Sequence, residues 1–183
     1  MKRLIDDLLT LSSLEHAPPP PAAERIALRP LLQRVRAEAE GLSGGKHRIW
    51  VESAGEYDLL GAEGEISSAF VNLVSNAVRY TPARGELRLR WNSTDASAEF
   101  SVEDSGIGID PEHLPRLPER FYRVDRGRSR ETGGTGLGLS IVKHALARHQ
   151  ATLAIDSTPG KGSRFTARFP AARLTPARQK VEN

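Results

Sequence analysis

Two glycine clusters constrain this chain more than any other feature: Asp104-Ser105-Gly106-Ile107-Gly108, and Gly133-Gly134-Thr135-Gly136-Leu137-Gly138-Leu139. A basic segment separates them. The second cluster runs directly into Leu139-Ser140-Ile141-Val142-Lys143-His144-Ala145-Leu146, whose apolar spacing predicts a helix. Glycines let backbone N–H groups come close to a ligand, and a helix N-terminus adds partial positive charge, so the pair suits a phosphate cradle. Either cluster alone is weak evidence, because a glycine-rich turn is more often only a turn. The commonest nucleotide motifs do not fit. There is no Gly-x-x-x-x-Gly-Lys-Ser/Thr, and Gly134-Thr135-Gly136-Leu137-Gly138 has the wrong final spacing for Gly-x-Gly-x-x-Gly.

A third element adds weight. From about Glu65 to Tyr80 the sequence predicts a helix whose apolar stripe is Ile66, Ala69, Phe70, Leu73, Val74, Ala77 and Val78. Asn72, Asn76 and Arg79 line a different face. Asparagine is a poor helix-interior residue, since its side chain competes for backbone hydrogen bonds, so two on one line suggest a polar task. For an isolated pair a solvated face would be the better reading; beside the glycine clusters, a ligand face is.

In this order, the elements resemble the ATP-binding catalytic domain of sensor histidine kinases, a branch of the superfamily that includes DNA gyrase and MutL. Asn72-Leu-Val-Ser-Asn76-Ala-Val-Arg79-Tyr80 is similar to its N box and Asp104-Ser-Gly106-Ile-Gly108 to its G1 box. Glu119-Arg120-Phe121-Tyr122-Arg123 is similar to its F box and Gly134-Thr135-Gly136-Leu137-Gly138-Leu139 to its G2 box. The match covers residues 24–170, and within the family it most resembles the phosphate-regulon type of sensor kinase.

The resemblance implies the cofactors ATP and Mg²⁺. Asp104 would accept a hydrogen bond from the adenine amine, which guanine cannot offer. Tyr80 would pack on the base, Asn76 and Asn72 would serve the metal, and Arg79 would reach the phosphates. Catalytic roles fall to Asn72, Asn76 and Arg79. Gly106, Gly108, Gly134, Thr135, Gly136, Leu137 and Gly138 would shape the nucleotide site, with Arg120 and Phe121 in an arginine-rich lid over it that is poorly ordered without nucleotide. Pro118 replaces the aromatic residue usual before Glu-Arg-Phe, which leaves Phe121 to carry the packing of that box. The implied activity is transfer of the ATP γ-phosphoryl group to a histidine of a separate dimerisation domain in a two-component system, with a response regulator as partner. The alternative is an ATPase or ATP-gated clamp of the gyrase type, in which a glutamate activates water. Asn72 stands there instead, and an amide cannot take that proton.

The remainder predicts four regions: a dimerisation-type helix with its end at 1–17, a proline-rich linker at 18–23, the catalytic domain at 24–172 and a disordered tail at 173–183. Met1, Leu4, Leu8 and Leu11 follow coiled-coil spacing, with Ile5, Leu9 and Leu14 beside them, and Pro18-Pro19-Pro20-Pro21 reads as a stiff spacer that holds this helix away from the domain. In the family, such a helix dimerises the full-length protein. Pro30 predicts a helix start, running to about Leu42. Gly64 predicts slight fraying at the start of the asparagine helix, at a cost of up to ~1 kcal/mol.

Alternating stretches at 47–52, 86–91, 98–102, 152–155 and 163–169 predict strands, the last four as two hairpins. The fold class is therefore an α+β two-layer sandwich, a mixed sheet covered on one face by helices. With no cysteine, thiolate chemistry is excluded, and five scattered histidines suggest no metal site. The net charge of +3 and a lack of interleaved aromatics argue against nucleic acid. No run is long enough to span a bilayer, so the chain itself reads as cytoplasmic and free of membrane contact, the cytoplasmic portion of a membrane-anchored sensor.

Overall fold

The alternation read from the sequence becomes a sheet whose inner face is almost wholly apolar. The computed structural model describes residues 2–19, 24–124 and 134–177. Expectations for the arginine-rich lid beyond residue 124, for Gly133, for the end of the proline run and for the last six residues fall outside these.

Five strands form the main sheet: β2 (Arg48–Ala54), β4 (Glu86–Ser93), β5 (Ser97–Asp104), β6 (Thr152–Thr158) and β7 (Gly162–Pro170), in the order β2-β4-β5-β7-β6. β4–β5 and β6–β7 are antiparallel hairpin pairs, as expected, and β5–β7 is antiparallel also. β2 runs parallel to β4, which makes the sheet mixed. Because side chains alternate between faces, Leu87, Leu89, Trp91, Phe100, Val102, Phe165, Ala167 and Phe169 point inward and are buried. Arg90, Arg164 and Arg168 point outward and pair with Glu52, Glu103 and Glu99. Exposed pairs of this kind add little stability but keep the open face soluble.

Helices α2 (Leu28–Ser43), α3 (Glu63–Tyr80) and α4 (Gly138–Arg148) cover the inner face. Phe70 of α3 stacks on Phe100 of β5 with ring centroids 3.8 Å apart and meets Phe169 edge-on at 6.2 Å. Six of the seven stripe residues predicted for α3 are fully buried. α3 starts at Glu63, ahead of Gly64, and the N–H groups of Glu65 and Ile66 both donate to Ala62 O, so the fraying expected at Gly64 is not seen. The buried His149 adds a clamp. Its Nε2 accepts from the Ala62 N–H at 3.0 Å while its Nδ1 donates to Ala145 O at 2.7 Å, tying the start of α3 to the end of α4. α2 begins two residues before Pro30, at Leu28, whose N–H donates to Asp58 Oδ1 at 3.0 Å. Pro30 still lies in the first turn, where no intrahelical donor is needed.

Two expectations require correction. Residues 174–176 are not a tail: β8 (Leu174–Pro176) pairs antiparallel with β3 (Tyr57–Leu60), which also pairs with β1 (Arg25–Ile26) in a small second sheet. Backbone hydrogen bonds hold this short strand, and a three-residue stretch carries no periodicity to reveal it. Nor is the N-terminal helix α1 (Lys2–His16) held away. It lies on α4, burying Leu11 and Leu14, while the Arg148 guanidinium donates to the carbonyls of Leu14, Ala17 and Pro18. Leu4, Ile5, Leu8 and Leu9 remain exposed. No helix among the described residues is long and apolar enough to cross a membrane.

Candidate functional site

β5 ends at the edge of the inner face, and its last residue, Asp104, forms the floor of a cleft of about 470 Å³. α3 supplies one wall through Asn72, Asn76, Arg79 and Tyr80; the G1-like loop adds Ile107 and Gly108, and the start of α4 adds Gly134, Thr135, Gly136 and Gly138. Ten of the residues singled out from the sequence thus meet in one space.

Asp104 is buried, and burial pushes its carboxyl up to about 6, against backbone N–H donors from Gly106 and Ser163 that favour the charged form. The Gly106 N–H donates to Oδ1 at 2.8 Å. Gly106 therefore works from behind the carboxylate and does not line the cleft. The strand partner of Asp104 is Ser163, next to Gly162, whose φ of 114° and close approach to the Asp104 carbonyl leave no room for a side chain. The carboxylate is held on both sides by backbone.

On the facing wall, the Asn72 amide nitrogen donates to Ser68 O at 2.9 Å, which aims Oδ1 at the start of α4. A Cβ on Gly138 would sit 2.8 Å from that oxygen, so glycine is what lets α4 begin beside the asparagine face. Thr135 Oγ1 accepts from the Leu137 N–H at 3.3 Å, and Leu137 itself is fully buried in the core as an anchor for the loop.

The remaining predicted residues lie elsewhere. The Phe121 ring does not pack: the residue is 59% exposed, adopts a φ of 61°, and meets the glycine loop through its backbone, its N–H donating to Gly136 O at 2.9 Å. The segment is anchored instead by Tyr122, whose hydroxyl bonds His113 Nδ1 at 2.7 Å and whose ring lies under the Arg116 guanidinium. His113 and Arg116 belong to a 3₁₀ turn, Pro111–Arg116, that alternation and helical spacing both miss. Arg120 is outside the cleft, paired with Glu15 of α1.

A second cation in the cleft, beside Arg79, is Arg123. Its Nε and Nη2 are buried and have no hydrogen-bond partner among the described residues. Nη2 lies 3.8 Å from where a Cβ on Gly134 would stand. Two buried guanidinium nitrogens left unbonded beside a glycine loop are costly unless an anion completes them, and this is the arrangement a phosphate would satisfy. Its place as the last residue of Glu119-Arg120-Phe121-Tyr122-Arg123 was the available signal. Asp7, Ser163, Phe165 and Leu139 also line the cleft, brought there by helix docking and strand pairing that one-dimensional reading does not show.

Known proteins share this family and fold. The family model described as histidine kinase-, DNA gyrase B-, and HSP90-like ATPase matches residues 61–173. The chain is 52% identical over 182 residues, 99% of its length, to the phosphate regulon sensor protein PhoR of Pseudomonas aeruginosa, and spans 41% of that protein. Among solved structures, full-length ShkA superposes with a TM-score of 0.80 at 26% identity, over 97% of this chain and 36% of that one. The mycobacterial sensor histidine kinase MprB shares the fold, with a TM-score of 0.72 at 23% identity over 84% of this chain and 99% of that one. By the family match over most of its length, this chain belongs to the histidine kinase-, DNA gyrase B- and HSP90-like ATPases.

Proposed function

We propose that the chain binds Mg-ATP and supplies the catalytic half of a protein histidine kinase, moving the γ-phosphoryl group to a histidine carried by a dimerisation domain. The observation that carries the reading is the meeting, in one cleft, of the buried acceptor Asp104, the Asn72–Asn76–Arg79 face and a glycine loop at a helix start. ATP supplies the phosphoryl group, and the residues present suit it. Asp104 discriminates adenine by accepting from its amine, Tyr80 covers an edge of the base site, and the loop of Gly134 to Gly138 offers N–H groups to phosphates. Arg79 and Arg123 supply positive charge at that end. Asn76 and Asn72 offer amide oxygens to Mg²⁺, which is content with one or two protein ligands and keeps its waters.

Phosphoryl transfer depends mainly on positioning and charge stabilisation, and these groups provide both. No carboxylate stands at Asn72 to activate water, so steady hydrolysis is expected to be slow. ShkA was solved in complex with AMPPNP, which fits the same reading. We place the chain in the cytoplasmic part of a membrane-anchored sensor, signalling to a response regulator, with the exposed Leu4, Ile5, Leu8 and Leu9 forming the dimerisation seam.

The test is transfer from labelled ATP. The protein alone should gain no acid-labile phosphate, because none of its five histidines stands in a phosphoacceptor context. Adding a hairpin that bears the acceptor histidine should give labelled hairpin at a slow, concentration-dependent rate. Rapid self-labelling, at His16 for example, would overturn the proposal.

A further inference from the structure

The docked helix α1 reaches into the cleft as well as resting on α4. Asp7 lines the same space as the glycine loop, and its Oδ2 accepts a hydrogen bond from Thr135 Oγ1 at 2.6 Å. One helical turn further on, Leu11 is buried against the domain, followed by Leu14; at the far end Glu15 pairs with Arg120 and lies 3.7 Å from His144 Nε2. α1 therefore holds at once the hydroxyl of the glycine loop and, outside the cleft, an arginine of the segment preceding it. It also places a carboxylate at the end of the cleft that Arg79, Arg123 and the start of α4 make positive.

We propose that docking of α1 and binding of a nucleoside triphosphate oppose each other: Asp7 occupies the loop hydroxyl and repels the terminal phosphates, so the triphosphate is admitted as α1 lets go. This rests on the nucleotide reading above. A polyphosphate carries several negative charges, and its repulsion by Asp7 grows with each phosphate that approaches the loop, whereas adenine recognition at Asp104 is untouched. Linkage makes the effect reciprocal, so bound ATP loosens α1 by the same factor that docked α1 weakens ATP. Once released, a helix of 15 residues has little stability of its own, and its amides become exchangeable.

Two measurements decide it. Calorimetric titration of the wild type and Asp7→Asn with AMP, ADP and ATP should show ATP bound about tenfold more tightly by the variant, ADP by less, and AMP within about twofold. In the unmutated protein, hydrogen exchange over residues 8–14 should speed up when ATP is saturating. Equal ATP affinity in the two proteins, with AMP still bound, overturns the proposal and leaves the nucleotide reading intact. Weaker Mg-ATP binding by Asp7→Asn overturns it too, by making Asp7 a metal ligand. Unchanged exchange of α1 with ATP bound does the same, and failure of every nucleotide to bind either protein removes the nucleotide reading and this proposal together.

Discussion

The two ends of the cleft are built in opposite ways. At the Asp104 end, the carboxylate closes a central strand, backbone N–H groups grip it, and Gly162 packs so tightly behind it that no side chain would fit. At the Thr135 end, the groups come from loops and the N-terminal helix: Phe121 is exposed, Arg123 has buried atoms without a partner among the described residues, and Asp7 supplies a bond from α1. A site that must choose one base benefits from a rigid reader, because the choice is made by a fixed acceptor. A site that must admit and release a polyphosphate benefits from an end whose contacts are few and replaceable.

The contrast can be broken most forcefully at Gly162. Substitution by Ala should cost roughly 3–5 kcal/mol of unfolding free energy, from the positive φ and the collision with the Asp104 carbonyl together. Denaturant unfolding checks this, and a loss below about 1 kcal/mol would show that the Asp104 end yields more than its packing suggests. Next in size is a pH effect. Burial raises the Asp104 carboxyl to about 6 in the folded protein, from the 3.8 of an ordinary aspartate, so between these values the native state binds more protons than the unfolded one. Stability from this group should therefore fall by about 2–3 kcal/mol as pH rises from 4 to 6. Asp104→Asn should flatten that part of the profile. On the proposed role of Asp104, adenine binding runs the other way and needs the charged acceptor, so ATP affinity should weaken as pH drops below about 6.

The smallest effect belongs to the opposite end. Phe121→Ala should leave unfolding stability within about 0.5 kcal/mol, since the ring buries little. A loss above 2 kcal/mol would restore the packing role that its sequence context suggests.

The same division explains what the sequence could tell. Asn72, Asn76 and the glycine loop were legible through local geometry: helical spacing puts Asn72 and Asn76 on one face, and a glycine run before an apolar helix marks its N-terminus, whereas Asp104 was legible through the resemblance of Asp104-Ser-Gly106-Ile-Gly108. The hairpins were legible through alternation. Missing were contacts made across the chain. Ser163 reaches Asp104 only through strand register, and the hold on α1 comes from Arg148 bonding its last carbonyls, a choice no periodicity encodes. The proline run suggested a helix kept apart, yet buried Leu11 and Leu14 draw it in. In the F-box segment, arginine spacing showed that cations were present, and only the fold showed that Arg123 enters the cleft while Arg120 turns to Glu15.

In the proposed function, a rigidly held Asp104 reads adenine. Calorimetric titration of the wild type and Asp104→Ala with Mg-ATP and Mg-GTP tests it directly. The wild type should bind ATP well ahead of GTP, and the variant should lose roughly 1.5–3 kcal/mol of ATP binding, about ten- to hundredfold, along with that preference. Equal ATP affinity in the two proteins, or a wild type indifferent between ATP and GTP, would contradict the account.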